Sequence, residues 1–260
     1  MNRRAAPVIG LLYPGVGAED DFPALERRLA GRLRLPLVTT SGGDVLHTVE
    51  TLRQVGGSGN LLDGARRLAV YEPDAAVWAC TSGSFVYGWA GAEEQAAGIS
   101  RELGCPASST SLAFAHAVRR LGLAKVAVAA SYPEDLARHF RMFLAEAGID
   151  VVNLDSSGIP TAGEAGRMGL AEVARMAAAA DRPDADAVLV PDTAVHSLAW
   201  LEELEQAVGK TVLTANQVTV WEGLRIAGRL GRFDGLGSLF RTAAPVLAPA
   251  PAPDQGGDPR

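Results

Sequence analysis

Along most of the chain, short apolar runs of strand length alternate with stretches whose apolar residues recur at helical spacing. Val8 to Tyr13 reads as a first buried strand, closed by Pro14-Gly15-Val16-Gly17. Asp20 to Leu33 has helical spacing, and Leu35 to Thr40 is extended. Residues 44–70 read as largely helical, with a break at Gly56-Gly57-Ser58-Gly59 that is a candidate lid or an exposed loop. A second buried strand begins at Ala75 and runs straight into Cys80-Thr81-Ser82-Gly83-Ser84. Gly91 to Leu103 is a helix ended by Gly104, Cys105 to Thr110 is extended, and Ser111 to Leu121 is a helix ended by Gly122. Strands at Lys125–Ala130, Val151–Leu154, Ala187–Val190 and Thr211–Thr214 follow. They alternate with helices over 133–147, 162–180, 196–207 and 218–227. Strands and helices in strict alternation predict parallel βαβ units.

The pattern also repeats. Ser108 to Gly122 can be laid over Thr214 to Gly228 without a gap, Arg119 falling on Arg225 and the terminal glycines coinciding. The Cys80 and Asp192 strands precede these segments at similar distances. The chain is therefore expected to form an α/β fold of two pseudo-symmetric, Rossmann-like, three-layer halves. Each half would hold a small parallel sheet and present a strand end to one shared cleft. The first half is expected over 1–116 with 219–247 returning to it, and the second over 117–218. Residues 248–260, rich in proline, glycine and aspartate, have almost nothing to bury and are expected to be a disordered tail.

Composition narrows the function. A length of 260 residues with 48% hydrophobic content supports a sizeable core. The net charge of −6 excludes the clustered basic face of a nucleic-acid binder. No apolar run approaches the ~20 residues of a membrane span. Two cysteines, Cys80 and Cys105, make neither a disulfide framework nor a thiolate metal site, and four scattered histidines have no metal-binding spacing. The expected compartment is the cytoplasm. No metal is expected. Gly15-Val16-Gly17 lacks the third glycine of a dinucleotide loop, so no nucleotide is expected either.

Two strand ends carry reactive groups. Cys80 is followed by two hydroxyl side chains and a glycine; Asp192 follows Pro191 and precedes Thr193. A thiol that attacks or moves a proton needs its charge managed by neighbours, and backbone amides with the hydroxyls of Thr81 and Ser82 supply donors. The same donors suit a carboxylate, or the enediolate that forms when the carbon beside it becomes a carbanion. Tyr132, just past the 125–130 strand, offers a phenol to the same oxygens. Asp192 must be neutral to donate a proton, which burial near negative charge favours. Plainer readings stand beside these: Cys80 as a small core residue, Asp192-Thr193 as a helix cap, Tyr132 as a rim aromatic. Cys105 fits the core reading and is given no chemistry.

The motifs Tyr13-Pro14-Gly15, Cys80 to Phe85, Cys105-Pro106, Ser131-Tyr132 with Asp135, the Asp192 position, and Trp221 with Leu224 to Gly228 together resemble the aspartate/glutamate racemase superfamily. The closer similarity is to its branch of arylmalonate decarboxylases and maleate cis–trans isomerases, and it extends from Ile9 to about Phe240. The resemblance implies a pseudo-twofold fold and a cofactor-free site in the cleft. It adds Pro14, Gly15 and Thr193 to Thr81, Ser82 and Tyr132 as carboxylate-binding positions. Two departures matter. Racemases and maleate isomerases of this kind use one cysteine per half, whereas the second position here is Asp192; the decarboxylase has a glycine at the first position and a cysteine at the second. The asparagine that maleate isomerases carry after the first strand is missing from Pro14-Gly15-Val16-Gly17. The leading expectation is an isomerase of a small carboxylate or dicarboxylate, with Cys80 as nucleophile or base and Asp192 managing the proton. A decarboxylase of a malonate-type acid is the alternative, and a non-catalytic carboxylate binder the third. The expected partner is a small carboxylate, with no nucleic acid and no membrane; homo-oligomerisation stays open.

Overall fold

A computed structural model gives the structure of the protein and describes residues 6–241. It contains two four-stranded parallel sheets, each with helices packed against it. The first sheet has the order β2-β1-β3-β4, formed by β1 (Ile9–Tyr13), β2 (Leu37–Thr39), β3 (Ala75–Trp78) and β4 (Ala107–Ser109). The second has the order β6-β5-β7-β8, formed by β5 (Lys125–Ala130), β6 (Asp150–Ser156), β7 (Ala187–Val190) and β8 (Thr211–Thr214). Position for position the two orders are the same, and this identity is the pseudo-symmetry of the fold. The central strands β1, β3 and β7 are buried at every residue, which is why they read as continuous apolar runs rather than alternating ones.

Twelve helices connect the strands among the described residues: α1 (Asp21–Arg28), α2 (Val49–Val55), α3 (Ser58–Leu68), α4 (Ser82–Phe85), α5 (Gly88–Leu103), α6 (Thr110–Arg120), α7 (Glu134–Glu146), α8 (Ala162–Ala165), α9 (Leu170–Ala180), α10 (Leu201–Val208), α11 (Ala215–Ile226) and α12 (Gly237–Arg241). Two of them sandwich the first sheet. A Cβ on Gly10 would meet Leu68 of α3, and one on Gly223 of α11 would meet Ile9 and Val77. Ile9 and Gly10 are consecutive in β1 and face opposite ways, so α3 and α11 lie on opposite faces of the sheet. α11 thus leaves the second sheet at β8 and seats itself on the first, beside α6.

The repeated segments fall on β4–α6 and β8–α11. Their terminal glycines, Gly122 and Gly228, do coincide, both in the left-handed region at φ 68° and 64°. The helix starts differ by one residue: Ser109 caps α6 through the Leu112 amide, whereas Thr214 makes a capping box with Gln217.

Several expected elements change; the first helix ends at Arg28 rather than Leu33, the last long one starts at Ala215 rather than Val218, and three others bear on the site. Residues 41–48 are not helical; they form an irregular strap across to residues 159–163, described below. The helix expected over 162–180 is two pieces, because Gly166 packs against the backbone of Gly17, where a Cβ would come within 2.6 Å of the Gly17 carbonyl oxygen. The helix expected from His196 starts at Leu201, because the amides of Ser197 and Leu198 are taken by the buried carboxylate of Asp21. The 248–260 tail expectation lies outside the described residues. No helix among them is long and apolar enough to cross a membrane.

Candidate active site

The carboxyl ends of five strands converge, as the parallel arrangement requires. β3 delivers Cys80, Thr81 and Ser82, and β7 delivers Asp192 and Thr193. β5 delivers Ser131 and Tyr132, β1 delivers Tyr13 and Pro14, and the strap after β2 delivers His47. Tyr13, His47, Cys80, Thr81, Ser82, Tyr132, Asp192 and Thr193 are each at most 5% exposed. The site is closed.

The loop carrying Cys80 is held from three sides. Ser111 donates to the Thr81 carbonyl at 2.7 Å, and Ser84 to Ser109 at 2.8 Å. Gln95 Nε2 bridges the carbonyls of Gly56 and Gly83 at 2.8 and 2.9 Å. Gly83 in turn donates its amide to Cys80 Sγ at 3.2 Å. Ser82 Oγ lies 3.8 Å from the sulfur. Burial pushes the Cys80 thiol up to about 12, with Asp192 adding to the rise against the lowering bonds from Gly83 and Ser82. Thr81 Oγ1 is buried with no hydrogen-bond partner.

Asp192 sits opposite on the second half. Its Oδ1 accepts the Ala194 amide at 2.9 Å, and its Oδ2 accepts the Ser131 hydroxyl. The carboxylate therefore shapes its own turn as well as facing the cleft. Tyr132 donates its phenol to the Pro191 carbonyl at 2.8 Å. Burial, then Asp192, pushes its phenol upward, so that proton stays on the oxygen. Tyr13 reaches across the halves and donates to the Thr193 carbonyl at 3.2 Å, while its oxygen accepts the Ala18 amide at 3.0 Å. Pro14 and Gly15 serve the strap: the Pro14 carbonyl accepts Ser41, and a Cβ on Gly15 would stand 2.6 Å from the Gly43 carbonyl.

The strap closes the cleft. The His47 amide donates to the Pro160 carbonyl at 2.8 Å, and the Ala162 amide to the Val45 carbonyl at 2.9 Å. Asp44 accepts the Gly163 amide at 2.7 Å. His47 Nδ1 bonds the Ile159 carbonyl at 2.8 Å, its ring meets Tyr132 edge-on at 5.1 Å, and its Nε2 stands 3.9 Å from Asp192 Oδ2. The glycine break at 56–59 is not this lid. It joins α2 to α3 and is pinned under the Cys80 loop by Gln95.

Sequence reasoning missed His47. The available signal is its place in the connection that leaves the carboxyl end of a parallel strand, β2, after the glycine pair Gly42-Gly43. Cys105 stands apart before β4, half-buried, its thiol raised to about 11 by burial and Asp74. Among the described residues no cluster of histidine, cysteine and carboxylate side chains could hold a metal ion.

The arrangement brings a thiol and a carboxylate from the two halves together among buried hydrogen-bonding groups. Comparison with known proteins gives that geometry a context. The family model described as arylmalonate decarboxylase matches residues 43–240. The arylmalonate decarboxylase of Bordetella bronchiseptica is 26% identical over 252 residues, covering 92% of this chain and 99% of its own. Among solved structures, a liganded double mutant of arylmalonate decarboxylase, with a glycine changed to cysteine and a cysteine to serine, superposes with a TM-score of 0.80 at 27% identity. That match covers 92% of this chain and all of the other. A cysteine-to-alanine variant of the maleate isomerase of Pseudomonas putida S16, with maleate, shares the fold at a TM-score of 0.82 and 21% identity, over 92% and 98% of the two chains.

Proposed function

The chain belongs to the arylmalonate decarboxylase family, and from that premise we propose that it is a cofactor-independent decarboxylase of a small malonate-type acid, with Cys80 as proton donor. The observation that carries this reading is the state of the thiol. A covalent or carbon-base role needs a thiolate, and thiolates arise where the pKa is lowered. Cys80 is buried and raised to about 12. A thiol held protonated suits the opposite task, giving its proton to a strongly basic carbanion.

In this reading the retained carboxylate lies against Thr81 and Ser82. The bond to the departing carboxylate breaks, its electron pair passes into the enediolate, and CO₂ leaves. The S–H bond of Cys80 then breaks and its proton goes to carbon. The thiolate recovers a proton from water when the site opens. Like the double mutant it superposes on, this chain has its cleft cysteine on one side only.

Isomerisation or racemisation is the second reading, favoured by the pairing of Cys80 with Asp192 across the cleft. Exchange at carbon needs two proton-handling groups on opposite faces, and a thiol and a carboxylate meet that need. Proton NMR of substituted malonates and of chiral monocarboxylates in D₂O separates the two. CO₂ loss with one deuterium incorporated supports decarboxylation. Interconversion of isomers with no loss of CO₂ overturns it in favour of the second reading, and binding without turnover overturns both.

A further inference from the structure

Resting on the decarboxylation reading, we propose that His47 is a catalytic residue of the cleft: its Nε2–H is the charged donor that stabilises the enediolate. Three observations meet here. Its Nδ1 faces a carbonyl, which only accepts, so Nδ1 carries a hydrogen; Nε2 is left for the cleft, where it donates only as the second N–H of an imidazolium. At 3.9 Å from Asp192 Oδ2, Nε2 is beyond hydrogen-bond length, and both Asp192 oxygens already accept from Ser131 and Ala194. Nε2 therefore has an open position. The imidazole stands edge-on against Tyr132, whose phenol donates to the Pro191 carbonyl, so the two side chains form one wall of the cluster.

Charge gives the position its chemistry. The charged neighbours acting on Tyr13, Tyr132 and Cys80 include the carboxylates of Asp192 and Glu19. Among the cleft residues named above, only His47 can carry a positive charge. Loss of CO₂ turns a singly charged carboxylate into a doubly charged enediolate without adding atoms. A cationic donor binds the second state more strongly than the first, so its effect falls on turnover. The groups facing His47 are Asp192, Tyr132 and, behind it on the strap, Asp44.

The test uses the full chain, its His47→Gln variant, and a matched pair of probes: a dianionic alkylphosphonate, which mimics the enediolate oxygens, and the monoanionic carboxylate of the same alkyl group. The wild type is expected to prefer the phosphonate, with the ¹⁵N signal of His47 Nε2 moving to its protonated, hydrogen-bonded form on binding. His47→Gln is expected to lose that preference and about 10²-fold in kcat, with KM within about threefold. A glutamine variant with kcat within threefold of wild type, an unchanged phosphonate preference, or a wild type that does not bind the phosphonate overturns the assignment. Should the variant fail to fold, the wild-type ¹⁵N spectrum still decides, because an Nε2 signal that ignores bound phosphonate also overturns it. If no malonate is decarboxylated but the phosphonate preference depends on His47, the reaction assigned above falls and the donor role stands.

Discussion

The sulfur of Cys80 accepts the Gly83 amide across 3.2 Å, and the thiol nevertheless rises to about 12. One amide and a distant serine do not offset complete removal from water beside a carboxylate. The pH dependence of turnover separates a thiol donor from a thiolate nucleophile. With Cys80 as donor, its own titration is expected to leave the rate unchanged between pH 7 and 10 and to lower it only as pH approaches 12. A thiolate mechanism would instead gain about tenfold per pH unit over that range. Cys80→Ala is expected to remove ~10²–10⁴-fold of the rate while circular dichroism and melting stay near wild type. Cys105→Ala is the control, with turnover unchanged.

Asp192→Asn tests the opposite wall. The amide oxygen can still accept from Ala194, and the Ser131 hydroxyl can rotate to accept from the new NH₂ group, so the turn is expected to survive. If the carboxylate handles a proton, kcat falls at least tenfold with KM little changed. If Asp192 serves only its turn, kcat stays within about threefold, and steady-state kinetics on the purified variant read the difference.

Gly56 has no room for a side chain, since a Cβ there would stand 2.1 Å from the Gly83 carbonyl. Gly56→Ala must push the α2–α3 junction away from the loop that aims Cys80. The expected result is a loss of ~1–3 kcal/mol in urea denaturation together with a drop in turnover. Gly59→Ala, with nothing within 4 Å of the added carbon, is expected to change neither.

Glu222 is fully buried and accepts Ser108 and His116 at 2.8 Å each, with two bonds from Arg225 at 2.6 and 2.8 Å. Burial pushes its carboxyl up, but the bonds from Arg225 and His116 outweigh this and hold it at about 2. Because the folded value lies below the unfolded one, the stabilisation is complete above about pH 4.5 and is lost as pH falls toward 2. Glu222→Gln is expected to destabilise by ~3–5 kcal/mol at pH 7 and by progressively less in acid, read by denaturation at a series of pH values.

Much of this was legible beforehand. The buried strands ending at Tyr13, Trp78 and Val190 stood out because a parallel sheet covered on both faces leaves an uninterrupted apolar run. The glycines at 122 and 228 stood out because only a residue tolerant of positive φ ends a helix that way. What escaped was decided by distant partners. The Tyr132 phenol goes to Pro191, the amides at 197–198 go to Asp21, and the strap is held by carbonyls more than a hundred residues away. None of these pairings leaves a local periodicity, so neither the 41–48 strap nor His47 stands out in the sequence.

The seat of α11 on Ile9 and Val77 has a consequence for synthesis. The first sheet is complete in sequence by Ser109, yet β1 and β3 lack their cover on one face until residues 215–226 leave the ribosome. At ordinary elongation rates the wait for those last hundred or so residues is about 5–20 s. The amino-terminal half therefore cannot finish folding in the order it is made. A nascent chain stalled before Ala215 would present β1 and β3 as an uncovered apolar surface, the kind that chaperones hold and that otherwise aggregates.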